Sequence, residues 1–280
     1  MADKSLIHQL FNDLRSEDKQ KQQTALTQLN RIKDELNDPG NMPELLDALK
    51  MRDRHIRLFA VKLLGVIGDP SAIGALIERL MDRSKDVRRA AAEALGLIGA
   101  EGALPGLVGA LLGDENSFVR WEAAKALGAL NLIEAVQPLV EALAADENSY
   151  VRFAAAESLG DIADLAALEG LERALLGDSN EYVRFAAAKA IGQIADPSSV
   201  PSLLRALNTR NTHVWHAAAE ALWVIDEEAM PYILGSLTDD DHDLRRAALK
   251  AILWLSVEFD DEDAALRQDL DWVGSWGWWN

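Results

Sequence analysis

The heptapeptide Tyr-Val-Arg-Phe-Ala-Ala-Ala occurs twice in this 280-residue chain, at Tyr150–Ala156 and Tyr182–Ala188. The offset of 32 residues belongs to a period that runs through most of the sequence. The aliphatic residue before the arginine recurs as Ile56, Val87, Val119, Val151, Val183, Val214 and Leu244, at spacings of 31, 32, 32, 32, 31 and 30. Such a period, with no strand-like alternation, predicts an all-α solenoid. Each unit is too small to bury its own apolar face and must do so against its neighbours.

Every unit reads as two helices. The first carries leucines at helical spacing, as in Ala-Ile-Gly-Ala-Leu-Ile-Glu-Arg-Leu from Ala72, and a polar turn such as Ala145–Ser149 follows. The second spans segments like Val87–Gly99, with apolar residues at i, i+3, i+4 and i+7 forming a buried stripe. Gly65, Gly96, Gly128, Gly160 and Gly192 all stand nine residues after the anchor. A glycine within a helix costs about 1 kcal/mol relative to alanine, so its recurrence predicts tight helix–helix contact there. The segment from Lys21 aligns as a degenerate first unit, with Leu29 on Leu95 and Ile32 on Ile98. Eight units are expected: N-terminal capping helices in residues 1–40, the repeat array in 41–258, and a cap helix with a Trp-rich tail in 259–280.

Arg57, Arg88, Arg120, Arg152, Arg184 and Arg245 follow the anchor directly, and Asp82, Asp114, Asp146, Asp178 and Asp239 precede it by five. The unit around Val214 lacks both, with Trp215 and Thr209 in their places; in the unit around Ile56, Met51 fills the Asp position. The joint loss predicts that the two groups pair, within or across units, as a structural ladder. The carboxylates are also placed to accept amides at the start of the second helix.

The pattern Asp-x4-Val-Arg-x-x-Ala-Ala-x-Ala-Leu-Gly-x-Ile-Gly resembles the HEAT-like repeats of phycobilisome lyases, over roughly Met42 to Val257. The resemblance implies a right-handed superhelix of stacked helical hairpins whose second helices line the concave face. Related arrays include bilin lyase subunits, phycobilisome-degradation factors, iron–sulfur assembly adaptors and scaffolds.

One before and two after each anchor lie residues that share a helical face. In order they are His55/Leu58, Asp86/Arg89, Phe118/Trp121, Tyr150/Phe153, Tyr182/Phe185, His213/His216 and Asp243/Arg246. Four successive units are therefore aromatic or imidazole at both positions, and the same helices carry Lys125, Glu157, Lys189 and Glu220 nearby. The buried stripe is already filled by the anchor, the alanines and the leucine eight residues on. The aromatic pairs are expected on the other face as a binding surface for a partner protein or peptide, rimmed by charge.

Catalytic and metal signals are weak. With no cysteine, disulfides, thiolate zinc sites and cysteine nucleophiles are excluded within the chain, and a reducing, cytoplasmic setting fits. No His–Glu dipeptide, phosphate loop or nucleophile elbow is present. His213 and His216 are spaced to share a metal, but no third ligand is clearly placed with them. The net charge of −18 disfavours nonspecific nucleic-acid binding, and no apolar run is long enough to span a membrane. The expected function is a non-catalytic scaffold or adaptor without a cofactor. The resemblance also allows a bilin lyase or chaperone with a bilin on the aromatic face, or an adaptor in metal-cofactor assembly. Trp272, Trp276, Trp278 and Trp279 are expected to cap the last helices, against Trp223 and Trp254, or to dock a partner.

Overall fold

The computed structural model describes residues 4–14, 16, 18–31 and 42–255. These form α1 (Lys4–Leu14) and α2 (Lys19–Arg31), then α3 (Met42–Ala48) and α4 (Arg54–Ile67). Next come α5 (Ile73–Arg79) with α6 (Lys85–Ile98), α7 (Leu104–Gly113) with α8 (Ser117–Leu130), and α9 (Val136–Ala145) with α10 (Ser149–Ile162). The series ends with α11 (Leu168–Gly177) and α12 (Glu181–Ile194), α13 (Val200–Ala206) and α14 (Thr212–Ile225), α15 (Met230–Ser236) and α16 (His242–Leu255). No strand occurs among the described residues, and the eight helical pairs stack as an all-α solenoid. The expected C-terminal cap helix, the tryptophan tail and Ile32 lie outside the described residues.

Local chemistry sets the helix ends. The first helices enter through a short 3-10 turn, as at Pro70–Ala72 and Glu101–Ala103. Side-chain caps start α4, α8, α10, α12 and α14, and the second helices from α4 to α12 end where the chain turns left-handed. Gly68 (φ 73°) and Gly99 (φ 67°) make that turn after α4 and α6, and Asn131, Ala163 and Ala195 make it in later units at φ 51–55°. All seven anchors are buried, and the alanines three to five residues on form the core with the leucines of the first helices.

Second helices stack directly, α4 on α6 and so on to α14. The glycines allow this approach. A Cβ on Gly65 would lie 2.8 Å from the Ala94 Cα, and one on Gly96 would lie 2.9 Å from the Ala126 Cα. Gly128, Gly160 and Gly192 meet Ser158, Ala190 and Ala221 of the next helix in the same way. In α14 this column is occupied by Trp223. There the close stacking stops, and α16 packs mainly on α13 and α15. Trp215 meets Trp254 edge-on at 6.2 Å across the α14–α16 joint.

Along one edge runs the arginine–aspartate ladder. Arg57 binds Asp82 through two nitrogens at 2.7 and 2.8 Å. Arg88 binds Asp114 at 2.7 and 3.0 Å. Arg120 binds Asp146, and Arg152 binds Asp178, each at 2.7 and 2.9 Å. Every rung joins one unit to the next, so the pairing is across units and not within them. Thr209 and Trp215 therefore belong to two successive rungs, Arg184 to residue 209 and residue 215 to Asp239. Met51 is also explained: the α2 residue aligned with the arginines is Gln22, which sends its amide to the Leu14 and Ser16 carbonyls. With no arginine before it, position 51 needs no carboxylate.

Each guanidinium also donates Nη1 to the backbone of its own unit. Arg88 reaches the Asp82 carbonyl, Arg120 that of Asp114, Arg152 that of Asp146, and Arg184 that of Asp178. A continuous relay thus runs from Arg57 to Arg184. The arginine side chains of the four rungs are only 10–12% exposed and their aspartates 4–8%. The hydrogen bonds that the guanidiniums donate to the aspartates, opposed by desolvation, raise the pKa values of all four arginines. For Asp82 and Asp178 desolvation pushes upward, but the paired arginine and a backbone amide outweigh it and hold each carboxyl below its usual range.

Candidate interaction surface

The ladder also aims the aromatic row. Asp114 Oδ1 accepts from the Asn116 amide at 2.8 Å, and Asn116 Oδ1, as helix cap, accepts from the Phe118 amide at 3.1 Å. The same pair of bonds joins Asp146, Asn148 and Tyr150 at 2.8 and 2.9 Å. It recurs through Asp178, Asn180 and Tyr182. These caps fix the start of α8, α10 and α12, and with it the rotation at which each aromatic leaves the helix. Asn116, Asn148 and Asn180 stand three residues before the anchor in sequence, a cap signal that the aromatic pattern alone does not reveal.

Within each pair the two rings have different settings. Phe118, Tyr150 and Tyr182 are 39%, 66% and 57% exposed. Trp121, Phe153 and Phe185, one turn on, are half-buried and packed against the core. Three neighbouring helices therefore present an exposed outer ring and, one turn on, an inner ring packed against the core. On α14, His213 and His216 extend the face and are exposed, with His216 edge-on to Trp215 at 5.1 Å. Among the described residues no group of three or more His, Cys, Asp or Glu is placed to hold a metal. At the flanking equivalents, Asp86, Asp243 and Arg246 are exposed and Arg89 is half-buried.

A polar cluster locks the first inner ring. Lys125 Nζ sits 4.4 Å over the Trp121 ring and 3.5 Å from Glu122 Oε1. Glu122 is 8% exposed, where the other repeats mostly carry alanine, and desolvation raises its carboxyl pKa against the pull of Lys125. A cation held against an indole face gains about 0.5–2 kcal/mol. Lys125, Glu157 and Lys189 also line a shallow basin of about 240 Å³ with Ser158, Asp161 and Gln193. No helix among the described residues is long and apolar enough to cross a membrane.

A family model described as HEAT repeats matches residues 6–82, 73–160 and 168–253. The model of the PBS lyase HEAT-like repeat matches residues 151–177. No curated protein matches the chain. Among solved structures, an engineered protein of the Northeast Structural Genomics Consortium is 23% identical with a TM-score of 0.55, covering 89% of this chain and 78% of that one. A chain in the complex of Kap95p with RanGDP is 21% identical with a TM-score of 0.54. The match covers 94% of this chain and 40% of that one. The complex of CpcE and CpcF of phycocyanin lyase from Nostoc sp. is 20% identical with a TM-score of 0.46, covering 88% and 92%. At these identities the likeness to the first two is one of fold.

Proposed function

The chain belongs to the HEAT-repeat family, and on that premise we propose that it is a non-catalytic scaffold or adaptor that captures a partner protein on the exposed face of α8, α10, α12 and α14. The observation that carries this reading is the row of three exposed rings, Phe118, Tyr150 and Tyr182, each beside a seated one. The outer rings supply contact area and two hydroxyls. Trp121, Phe153 and Phe185 supply anchors whose rotamers are already fixed, which lowers the entropic cost of binding. Aromatic side chains are costly to leave in water and are favoured at interface centres.

The test is a pull-down from the native host with the wild-type protein and with the Trp121→Ala/Phe153→Ala and Tyr150→Ser/Tyr182→Ser variants. Capture of a discrete partner should be lost in both, and the second variant should keep the wild-type melting temperature. Retained capture by both variants would refute the assignment.

A further inference from the structure

The same face carries a regularity beyond its aromatic patch. Six residues after each anchor stand Lys62, Glu93, Lys125, Glu157, Lys189, Glu220 and Lys250. The sign of the charge alternates without a break through seven units. At 100° per residue, this position lies about 20–40° around the helix from the aromatic positions, so the charged row borders the aromatic rows. Its first six members are exposed and Lys250 is half-buried. Among the described residues no neighbouring Lys and Glu of the row close on each other as an ion pair. Lys125 instead turns to Glu122 and Trp121 of its own helix, and Lys250 donates to the Leu207 carbonyl.

We propose that this row sets the register of the captured segment: it selects a polypeptide with charges of alternating sign, acidic opposite each Lys and basic opposite each Glu, one per repeat. The inference rests on the capture reading above and names the kind of segment captured. An excess of one sign would attract any oppositely charged partner at long range. An alternating row cancels its own field within about one Debye length, so only a segment already in contact feels the order of its charges. In a chain of net charge −18, this row is close to neutral.

The spacing defines the backbone of the segment. Packed helices lie about 8–10 Å apart. A polyproline-II segment advances about 3.1 Å per residue with three residues per turn, so every third side chain returns to the same side after about 9.3 Å. Every third residue therefore meets the next charge of the row. Such a segment keeps its backbone groups solvated and suits an aromatic-lined surface.

The probes are two synthetic proline-rich peptides of about twelve residues and identical composition, with four charges at every third position. One has the order Asp, Lys, Asp, Lys; the other Asp, Asp, Lys, Lys. The alternating peptide should bind the wild-type protein about tenfold more tightly at low salt, as a few exposed charge contacts of opposite rather than like sign would give. In the Glu157→Lys/Lys189→Glu variant the row from Lys125 reads plus, plus, minus, minus, with composition and net charge unchanged, and the preference should invert to the blocked peptide. Calorimetric titration and a melting curve on each variant separate recognition from folding. Should the variant fail to fold, Glu157→Gln/Lys189→Gln serves in its place and should abolish the preference while keeping binding. Equal affinity for the two peptides, a preference that survives either variant, or binding of neither peptide overturns the proposal. If both peptides bind equally and Trp121→Ala/Phe153→Ala abolishes that binding, the capture reading stands and the register code alone falls.

Discussion

Replacing Gly96 by alanine tests the helix contact on which the whole array depends. The new Cβ would sit 2.9 Å from both the Cα and the Cβ of Ala126. An ordinary carbon–carbon contact is about 3.5–4 Å, so α6 and α8 must part by about 0.6–1 Å. One of the opposing atoms is backbone, so no rotamer change relieves the clash. Overpacking of this kind costs about 1–3 kcal/mol, and the better helix propensity of alanine returns at most about 1 kcal/mol. With a backbone atom in the clash the cost is taken at the middle of that range, about 2 kcal/mol, and the net expectation is a loss of about 1–2 kcal/mol. Gly109 provides the matched control: it lies inside α7, and a Cβ there would meet nothing within 4 Å, so Gly109→Ala gains propensity without a clash. It should stabilise by about 0.5–1 kcal/mol. Urea denaturation followed by circular dichroism should move the two midpoints in opposite directions. A Gly96→Ala midpoint equal to or above wild type would refute the steric account of the glycine column.

The ladder can be broken and extended. Asp146→Ala removes both short bonds to the Arg120 guanidinium and leaves it only one carboxylate, the exposed Glu147, 3.5 Å away, which should cost about 2–3 kcal/mol, measured by urea denaturation. Thr209→Asp restores the missing partner of Arg184 and should raise the melting temperature by a few degrees, about 1 kcal/mol; a fall would show that the rung geometry is not maintained there. Acid should weaken the ladder. Asp82 and Asp178 titrate below their unfolded values, so the unfolded chain binds more protons. Their contribution is complete above about pH 5, starts to fade near the unfolded value of about 3.9, and is lost as pH falls through the folded value. The Asp178→Asn variant should lose less stability than wild type between about pH 5 and 3, measured by thermal melts; identical pH profiles would exclude this carboxylate as a source of the acid response.

The period was legible because the anchor at Val87, Val119 or Val151 must be buried in every unit, and burial restricts residue type. The ladder was legible as a recurrence but not in its direction. Arg and Asp of one unit are six residues apart in sequence, whereas the bonded partners are 25 or 26 apart, and only the stacking brings Arg88 to Asp114. The aromatic pairs share one helical face by spacing alone. Spacing did not grade them: Tyr150 is exposed while Phe153 is half-buried against the core, and that core is built by the stacked units together. Glu122 and its grip on Lys125 were missed for the same reason, since the burial of Glu122 depends on the neighbouring units. Trp223 in the glycine column was visible in sequence, but the loosened α14–α16 joint became apparent only with the helices in place.

The head-to-tail order of the ladder makes each internal unit a cassette with a fixed polarity. A unit offers a socket, its aspartate, to the unit before it and a plug, its arginine, to the unit after it. Excision of residues 120–151 would join Val119 to Arg152, leave Arg88 facing Asp114, and leave Arg152 facing Asp178. One whole repeat would vanish without stranding a single charge of the ladder. Duplication of the same stretch would lengthen the array with equal economy and widen the aromatic row by one helix. Beyond Arg184 that freedom ends: Thr209 offers no socket and Trp215 no plug, so the length of this protein is adjustable in its middle and fixed toward its C-terminal end.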